Sequence, residues 1–178
     1  MDLSTVPTPR AFIDRQRLQR NIAAMQDVAS HAGVRLRPHA KTHKSPVIAK
    51  MQIDAGAVGV CCAKLGEAEV LADAGIRDIR LPYPINPANA PRVVALLDRG
   101  MRLSIIVDNR QVAEAWSAAM VAAKRKLEVL VKVDVGFHRC GVNPESPTVI
   151  NDIRTVSELK GLRFLGLLSH AGQGYGAS

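Results

Sequence analysis

The sequence predicts an α/β fold in which parallel strands alternate with helices, as in a (β/α)8 barrel of the TIM type. Short apolar segments and amphipathic segments alternate about six times along the 178 residues, with short connections. Aromatic residues are only 3%, so the core is built from Ala, Val, Leu and Ile, which suits helices packed closely on a parallel sheet. Polar side chains gather after the predicted strands, where barrels keep their functional sites.

The predicted elements follow this alternation in order. The first helix carries Leu18 and Ile22 at helical spacing and ends at Gly33, a residue typical of helix stops. Ser45 and Pro46 form a favourable N-cap and first-turn pair that starts the second helix. The predicted strands are residues 34–40, 58–63, 79–81, 103–107, 127–133 and 164–169. The helices after the first are predicted over residues 46–55, 65–74, 88–98, 111–123 and 148–159.

The number of predicted strands falls short of a closed barrel. A complete barrel of this type has eight strands, and the sequence supplies about six. We therefore expect residues 1–178 to form one barrel domain that is truncated at its C-terminal end, since the sequence stops in a loop after the sixth predicted strand. No Gly-x-Gly-x-x-Gly motif follows the first predicted strand, which disfavours a dinucleotide-binding fold.

The composition narrows the class of protein. Hydrophobic residues are 47% and charged residues 22%, which indicates a globular chain. The net charge of +8 is compatible with nucleic acid, but the basic residues are scattered and few aromatics could stack on bases, so an anionic cofactor or substrate is favoured. Three cysteines make no disulfide framework, and there is no signal peptide or membrane-spanning run, which predicts a cytoplasmic protein.

The stretch from Arg35 to Lys44 concentrates six basic or titratable side chains in ten residues. As a strand, it places Arg35 and Arg37 on the same face as His39 and Lys41, where the charges repel unless an anion sits among them. Crowded positive charge favours the neutral amine of Lys41, which is the better nucleophile toward an aldehyde. The pattern indicates a Schiff-base lysine beside an anionic cofactor; a solvated basic edge strand is the alternative.

A metal site is the weaker interpretation of the same stretch. His39 and His43 are four residues apart, a spacing that serves zinc when both lie on one helix face. Pro38 and the predicted strand oppose a helix here, and no Glu follows His39. Cys61 and Cys62 point to opposite sides of their predicted strand, so they cannot share a metal by that geometry. We expect no metal ligands in this chain.

Two positions after later strands carry groups suited to an active site. Arg139 lies in a glycine-bearing loop and is suited to fixing an anionic oxygen, and a surface arginine paired with Asp134 is the alternative. His170 follows the sixth predicted strand, where an imidazole stacks on a flat ring or relays a proton; a polar residue that ends a strand is the alternative. Asp108 and Asn109 are interpreted as a helix cap.

Four segments resemble one enzyme family in composition and order. They read R-P-H-A-K-T-H-K at 37–44, G-V-C-C-A-K-L-G-E-A-E at 59–69, V-K-V-D-V-G-F-H-R-C-G-V at 131–142 and S-H-A-G at 169–172. They are similar to segments of the D-threonine aldolases and D-serine dehydratases, which are pyridoxal-phosphate enzymes of the alanine-racemase-like group, fold type III. The resemblance covers most of the chain and implies the N-terminal part of an alanine-racemase-like barrel.

The resemblance also implies roles for individual residues. Lys41 matches the lysine that binds pyridoxal phosphate covalently and is the expected catalytic residue. Arg139 matches an arginine near the phenolic oxygen of the cofactor, and His170 falls where the family places a ring near the pyridine. His39 and Arg37 are expected to line the same pocket.

The implied function is that of a lyase dependent on pyridoxal 5′-phosphate. A D-threonine aldolase type, cleaving D-3-hydroxy amino acids to glycine and an aldehyde, is the leading expectation. A D-serine dehydratase forming pyruvate and ammonia, toward which S-H-A-G leans, is the alternative, followed by an amino-acid racemase and a non-catalytic pyridoxal-phosphate-binding protein. The metal-binding β-domain and the glycine-rich phosphate-binding loop of the family are not found here, so we expect weak or no turnover by this chain alone. We also expect the protein to form a homodimer and to bind a D-amino acid, and we expect it to bind neither nucleic acid nor membrane.

Overall fold

The computed structural model describes residues 3–176 and contains one parallel sheet with helices packed against it. The strands are β1 (Val60–Cys61), β2 (Asp78–Pro84), β3 (Arg102–Val107), β4 (Leu127–Val133) and β5 (Leu162–Ser169). The α-helices are α1 (Arg15–His31), α2 (Pro46–Asp54), α3 (Leu65–Asp73), α4 (Ala90–Asp98), α5 (Arg110–Ala122) and α6 (Val149–Glu158). Neighbouring strands are all parallel and follow the order of the sequence, which confirms the predicted α/β fold with barrel-type strand order.

Side-chain caps define where several helices begin. Asp14, Ser45 and Asn109 each accept the N–H group of the residue three positions later, at 3.0, 3.4 and 3.2 Å. The predicted start of the second helix at Ser45 and Pro46 is thereby confirmed. Within residues 3–176, none of the helices combines the length and the apolar character needed to cross a membrane.

The hydrophobic core lies between the sheet and the helices. Side chains alternate along each strand, and those facing the helices are apolar and fully enclosed. Ile79, Ile105 and Val129, on three adjacent strands, each expose 0% of their surface. Trp116 of α5 is equally buried, and its Nε1–H donates to the Ile85 carbonyl at 3.0 Å. This hydrogen bond satisfies the polar atom of the largest side chain in the core.

The opposite side of the sheet, which we call the inner face, carries polar side chains. Arg80, Ser104 and Glu128 lie in one row across β2, β3 and β4, because the strand register pairs them in that order. Arg80 Nε donates to Ser104 Oγ at 3.0 Å, and Lys132 lies further along the same face of β4. In a barrel this face lines the interior, so the inner faces of the strands share one space.

The prediction of a strand at residues 34–40 is wrong. This segment runs beside β1 but forms a single parallel bridge, at His39. Val58 donates its N–H to the Leu36 carbonyl at 3.0 Å, and a parallel ladder would return a bond from residue 38 to the Val58 carbonyl. Pro38 has no N–H, so the ladder is interrupted there. Residues 3–176 therefore contain five strands and one extended segment where six strands are predicted.

Strand boundaries also differ from those predicted. β1 begins only at Val60, since Gly59 before it has a φ of 152°, a conformation that other residues rarely adopt. β2 extends into the predicted loop as far as Pro84, after a register shift that follows Leu81. β5 begins earlier than residue 164, because Leu162 already pairs with β4.

We expect Gly161→Ala to destabilise the fold. Gly161 donates its N–H to Ser117 Oγ of α5 at 3.0 Å, and an added Cβ would overlap the Ser117 carbonyl oxygen. Forcing a methyl group into such a contact costs about 1–3 kcal/mol, which urea unfolding measures. Gly174→Ala is the control, because among the described residues its added Cβ meets no atom within 4 Å. Equal stability of the two variants would contradict the close approach of α5 to the start of β5.

Candidate active site

Lys41 lies in the helical turn Ala40–Thr42, directly after the extended segment beside β1. Its side chain lines a groove of about 960 Å³ that passes the C-terminal end of β2, where Tyr83 and Pro84 also line it. The charged residues of this groove are Lys41, Lys44, Lys64, Arg92 and Glu67. An exposed amine in a basic groove is suited to an anionic aldehyde, because the groove attracts the anion to the nucleophile.

His39 supports the backbone turn that carries Lys41. Its Nδ1 accepts the Lys41 N–H at 3.3 Å, and its carbonyl oxygen accepts from Thr42 Oγ1 at 3.3 Å. Burial, followed by the positive charge of Lys41, lowers the pKa of His39 below its ordinary value. The ring is therefore neutral at neutral pH and keeps Nδ1 free to accept this bond.

The loop after β4 is folded around the Asp134 carboxylate. Oδ1 accepts the N–H groups of Gly136, Phe137 and His138 at 3.0, 3.1 and 3.0 Å, and Oδ2 lies 3.0 Å from His138 Nδ1. The backbone N–H groups of His138 and Gly136 lower the pKa of Asp134, because they stabilise its charged form. His138 adopts a φ of 52° within this turn. Both carboxylate oxygens of Asp134 therefore have partners among residues 136–138, which precede Arg139.

Arg139 packs on aromatic rings and not against a carboxylate. Its guanidinium carbon lies 5.0 Å from the centroid of the Tyr83 ring and 5.3 Å from that of Phe137. These cation–π contacts connect the loop after β4 to the end of β2. Within the part of the chain that the structure describes, Arg139 forms no ion pair, so the alternative of a pair with Asp134 is not formed. The guanidinium retains its capacity to bind an anionic group.

His170 follows β5 and is held between aromatic rings. It contacts Phe137 edge-on at 5.3 Å between ring centroids and Tyr175 at 5.8 Å. Partial burial lowers its pKa, and the positive charges of Arg139, Lys132 and Lys41 lower it further, in that order. The predicted residues Lys41 and Arg139 therefore both lie near enough to His170 for their charges to act on its ring.

Lys132 lies at the candidate site and is absent from the sequence predictions. It is 3% exposed, and it borders a small cavity together with Arg139 and His170. Burial lowers its pKa, which the nearby Cys140 opposes and Arg139 reinforces. The signal was present in the sequence, because Lys132 is the one lysine in the predicted strand L-E-V-L-V-K-V, five of whose seven residues are apolar. A lysine in such a run is rarely structural alone.

Asp108 holds the far end of the same loop and does not cap α5. Its Oδ2 accepts the Gly141 N–H at 3.1 Å, whereas Asn109 provides the helix cap. Gly141 has a φ of 128°, and a Cβ there would lie 2.5 Å from the backbone nitrogen of Asp134. Only glycine allows this close approach, which returns the loop to its starting point at β4.

Arg37 is not part of the Lys41 groove. It forms a bidentate ion pair with Asp78 at the start of β2, at 2.8 and 3.0 Å. Arg35 and Arg37 line a separate cavity on the inner face. The helical turn Ala40–Thr42 interrupts the alternation of a strand just before Lys41, so the four basic side chains predicted to share one face are divided between two places.

No metal site is formed by the described residues 3–176, since no three or more His, Cys, Asp or Glu side chains are grouped to hold an ion. His39 and His43, the pair with zinc-like spacing, each accept a backbone N–H at Nδ1, from Lys41 and Ser45 respectively.

Residues 13–176 match the family model of the alanine racemase N-terminal domain. The chain belongs to this family. A D-threonine aldolase from Arthrobacter sp. is 40% identical over 173 residues, which cover 96% of this chain and 45% of the relative. The structure of D-threo-3-hydroxyaspartate dehydratase from Delftia sp. HT23 is similar with a TM-score of 0.91 and 39% identity, over 98% of this chain and 46% of that one. The structure of D-threonine aldolase from Filomicrobium marinum is similar with a TM-score of 0.86 and 40% identity, over 93% of this chain and 44% of that one.

The chain spans under half the length of these relatives. The agreement in sequence and in backbone confirms the alanine-racemase-like fold that four short segments predict.

We expect Arg139→Gln to raise the pKa of His170 toward its ordinary value, because the substitution removes a positive charge that disfavours the imidazolium. An NMR titration of the His170 ring measures this shift. The folded chain binds this proton less tightly than the unfolded chain, so stability falls as the pH drops through the ordinary histidine pKa of about 6.5.

Arg125→Gln is the matched control for this titration, because Arg125 pairs with Asp98 on the helical side of the fold. An unchanged His170 pKa in Arg139→Gln, or an equal shift in the control, would contradict the proximity of the two residues.

Proposed function

We propose that this chain forms the lysine-bearing part of a pyridoxal-phosphate-dependent lyase that cleaves D-3-hydroxy amino acids to glycine and an aldehyde. One observation carries the proposal: three separate segments meet through aromatic contacts. Lys41 lines a groove with Tyr83, Arg139 packs on the rings of Tyr83 and Phe137, and His170 contacts the same Phe137 ring. The names of the similar proteins, D-threonine aldolase and D-threo-3-hydroxyaspartate dehydratase, describe action on this class of amino acid.

The chemistry of these side chains fits pyridoxal phosphate, which carries an aldehyde, a flat aromatic ring and negative charge. Lys41 offers an exposed amine to the aldehyde, and Arg139 offers a cation without a carboxylate partner among residues 3–176. His170 offers a ring whose orientation is set by Phe137 and Tyr175. When bound, the cofactor supplies an electron sink for the bond that breaks in the amino acid.

The side chains around Lys41 have supporting roles in this proposal. His170 stays neutral at neutral pH, because burial and neighbouring cations lower its pKa, so it stacks on a ring without adding charge beside Arg139. Lys132 adds positive potential at the same end of the sheet, which attracts an anionic cofactor and a substrate carboxylate. His39 fixes the turn and hence the place from which the Lys41 amine reaches into the groove.

Dehydration of the same class of substrate is the second candidate reaction. The 39% identity to a D-threo-3-hydroxyaspartate dehydratase supports it, since that value nearly equals the identity to the D-threonine aldolases. The products discriminate the two: aldol cleavage of D-threonine gives glycine and acetaldehyde, whereas dehydration gives a keto acid and ammonia. The divalent metal, the homodimer and the cytoplasmic location stay predictions.

We expect Lys41 to be the residue that pyridoxal phosphate modifies. The chain is incubated with the cofactor, reduced with borohydride and digested, and the pyridoxyl group is located by mass spectrometry. Lys41→Ala abolishes the adduct, because the reacting amine is removed. Lys44→Ala is the matched control, because Lys44 lines the same groove and forms an ion pair there, with its Nζ 3.7 Å from Glu67 Oε1.

The proposal is wrong if a folded chain takes up no cofactor, or if the adduct is found mainly on Lys44 or Lys64. Circular dichroism of each variant shows whether it remains folded, so that a lost adduct is attributed to the amine and not to unfolding.

A further inference from the structure

The side chain of Phe137 lies between two residues of the candidate site, Arg139 and His170. The Arg139 guanidinium carbon is 5.3 Å from the centroid of the Phe137 ring, and the His170 ring meets the same ring edge-on at 5.3 Å between centroids. Among the ring contacts of residues 3–176, Tyr83 contacts the guanidinium but not His170, and Tyr175 contacts His170 but not the guanidinium. Phe137 is therefore the ring that contacts both.

The place of the Phe137 ring is fixed by its surroundings. Its backbone N–H donates to Asp134 Oδ1 at 3.1 Å, which closes the turn after β4. Gln173 Nε2 donates to the Val135 carbonyl at 2.8 Å and joins the segment after β5 to this loop. Gly172 lies directly against the ring, since a Cβ there would be 2.6 Å from Phe137 Cδ2. The ring thus fills a space that a larger residue at position 172 would enter.

Phe137 is not needed for the hydrophobic core. It is 43% exposed and lies outside the buried cluster between the sheet and the helices. Its contacts act instead on two side chains of the candidate site. A long arginine side chain loses rotamer freedom when it binds an anion, and one that is already held on a ring loses less.

We propose that Phe137 is a positioning residue, which holds the Arg139 guanidinium and the His170 ring in the places from which they bind the cofactor. The guanidinium then packs on two rings, Tyr83 of β2 and Phe137 of its own loop, before any anion arrives. The part of this inference that concerns the cofactor rests on the function proposed for Lys41, whereas the positioning itself is a property of the free chain.

NMR of the free chain tests the positioning without any cofactor. In Phe137→Leu we expect the ring-proton resonances of His170 to shift, because the ring that meets His170 edge-on is lost while an apolar side chain remains. Phe137→Tyr retains the ring and preserves these resonances. Phe12→Leu, the same substitution at an exposed phenylalanine before α1, is the matched control and leaves them unchanged.

Titration of the folded variants with pyridoxal phosphate, followed by absorbance, tests the consequence for binding. Phe137→Leu raises the dissociation constant about tenfold, because the contacts to Arg139 and His170 are both lost. Phe137→Tyr stays within about twofold of the unsubstituted chain, because the ring is retained. In an Arg139→Gln background the loss caused by Phe137→Leu falls to about threefold or less, because the part that acts through the guanidinium is already absent.

Gly172→Ala displaces the Phe137 ring without removing it. We expect this variant to shift the His170 resonances and to weaken binding of pyridoxal phosphate as Phe137→Leu does, because the added methyl group overlaps the ring. Gly174→Ala is its control, since among the described residues a Cβ at that position meets no atom within 4 Å. This pair keeps the proposal testable if Phe137→Leu does not fold.

Three results would overturn the positioning role. They are unchanged His170 resonances in Phe137→Leu, a Phe137→Tyr variant as impaired as Phe137→Leu, and an undiminished loss of affinity in the Arg139→Gln background, which would indicate a role in the fold alone. An unsubstituted chain that takes up no pyridoxal phosphate refutes the function proposed for Lys41. The His170 resonances then still decide whether Phe137 holds that ring in place.

Discussion

The burial of the helix-facing side of the sheet is the constraint on which the rest of the structure depends. Ile79, Ile105 and Val129 are fully buried there, and Trp116 of α5 is buried in the same hydrophobic cluster. Apolar burial of this kind is the main favourable term in folding. Since strand side chains alternate, one fully apolar side leaves every polar strand residue on the inner face or at a strand end. The chemistry of this chain is confined to those two places.

At the C-terminal ends of the strands, the candidate site depends on backbone hydrogen bonds made by acidic side chains. Asp134 takes up successive N–H groups of the loop after β4, and Asp108 takes up that of Gly141. These bonds use the carboxylates that would otherwise neutralise Arg139. Among residues 3–176 the guanidinium packs on Tyr83 and has no carboxylate partner. Engaging the acidic neighbours elsewhere thus leaves Arg139 available to an anion, at strand ends that are rigidly held.

Local sequence patterns predict much of this structure. They do not predict contacts between residues that are distant in sequence. The caps at Ser45 and Asn109 and the barrel-type strand order follow from signals within a few residues. The pair between Arg37 and Asp78 joins residues 41 positions apart, and no local pattern reports it. The interruption at Pro38 was readable in principle, because proline cannot donate to a ladder, but basic residues around it suggested a strand with one charged face.

We propose that Lys41, Arg139 and His170 surround one site for an anionic, aldehyde-bearing ring. A crystal structure of the chain soaked with pyridoxal phosphate tests it most directly. We expect continuous density from Lys41 Nζ to the cofactor, a hydrogen bond from the Arg139 guanidinium to one of its anionic oxygens, and the His170 ring beside its pyridine. Cofactor bound elsewhere on the chain, or bound at Lys41 with Arg139 and His170 turned away from it, would contradict this arrangement.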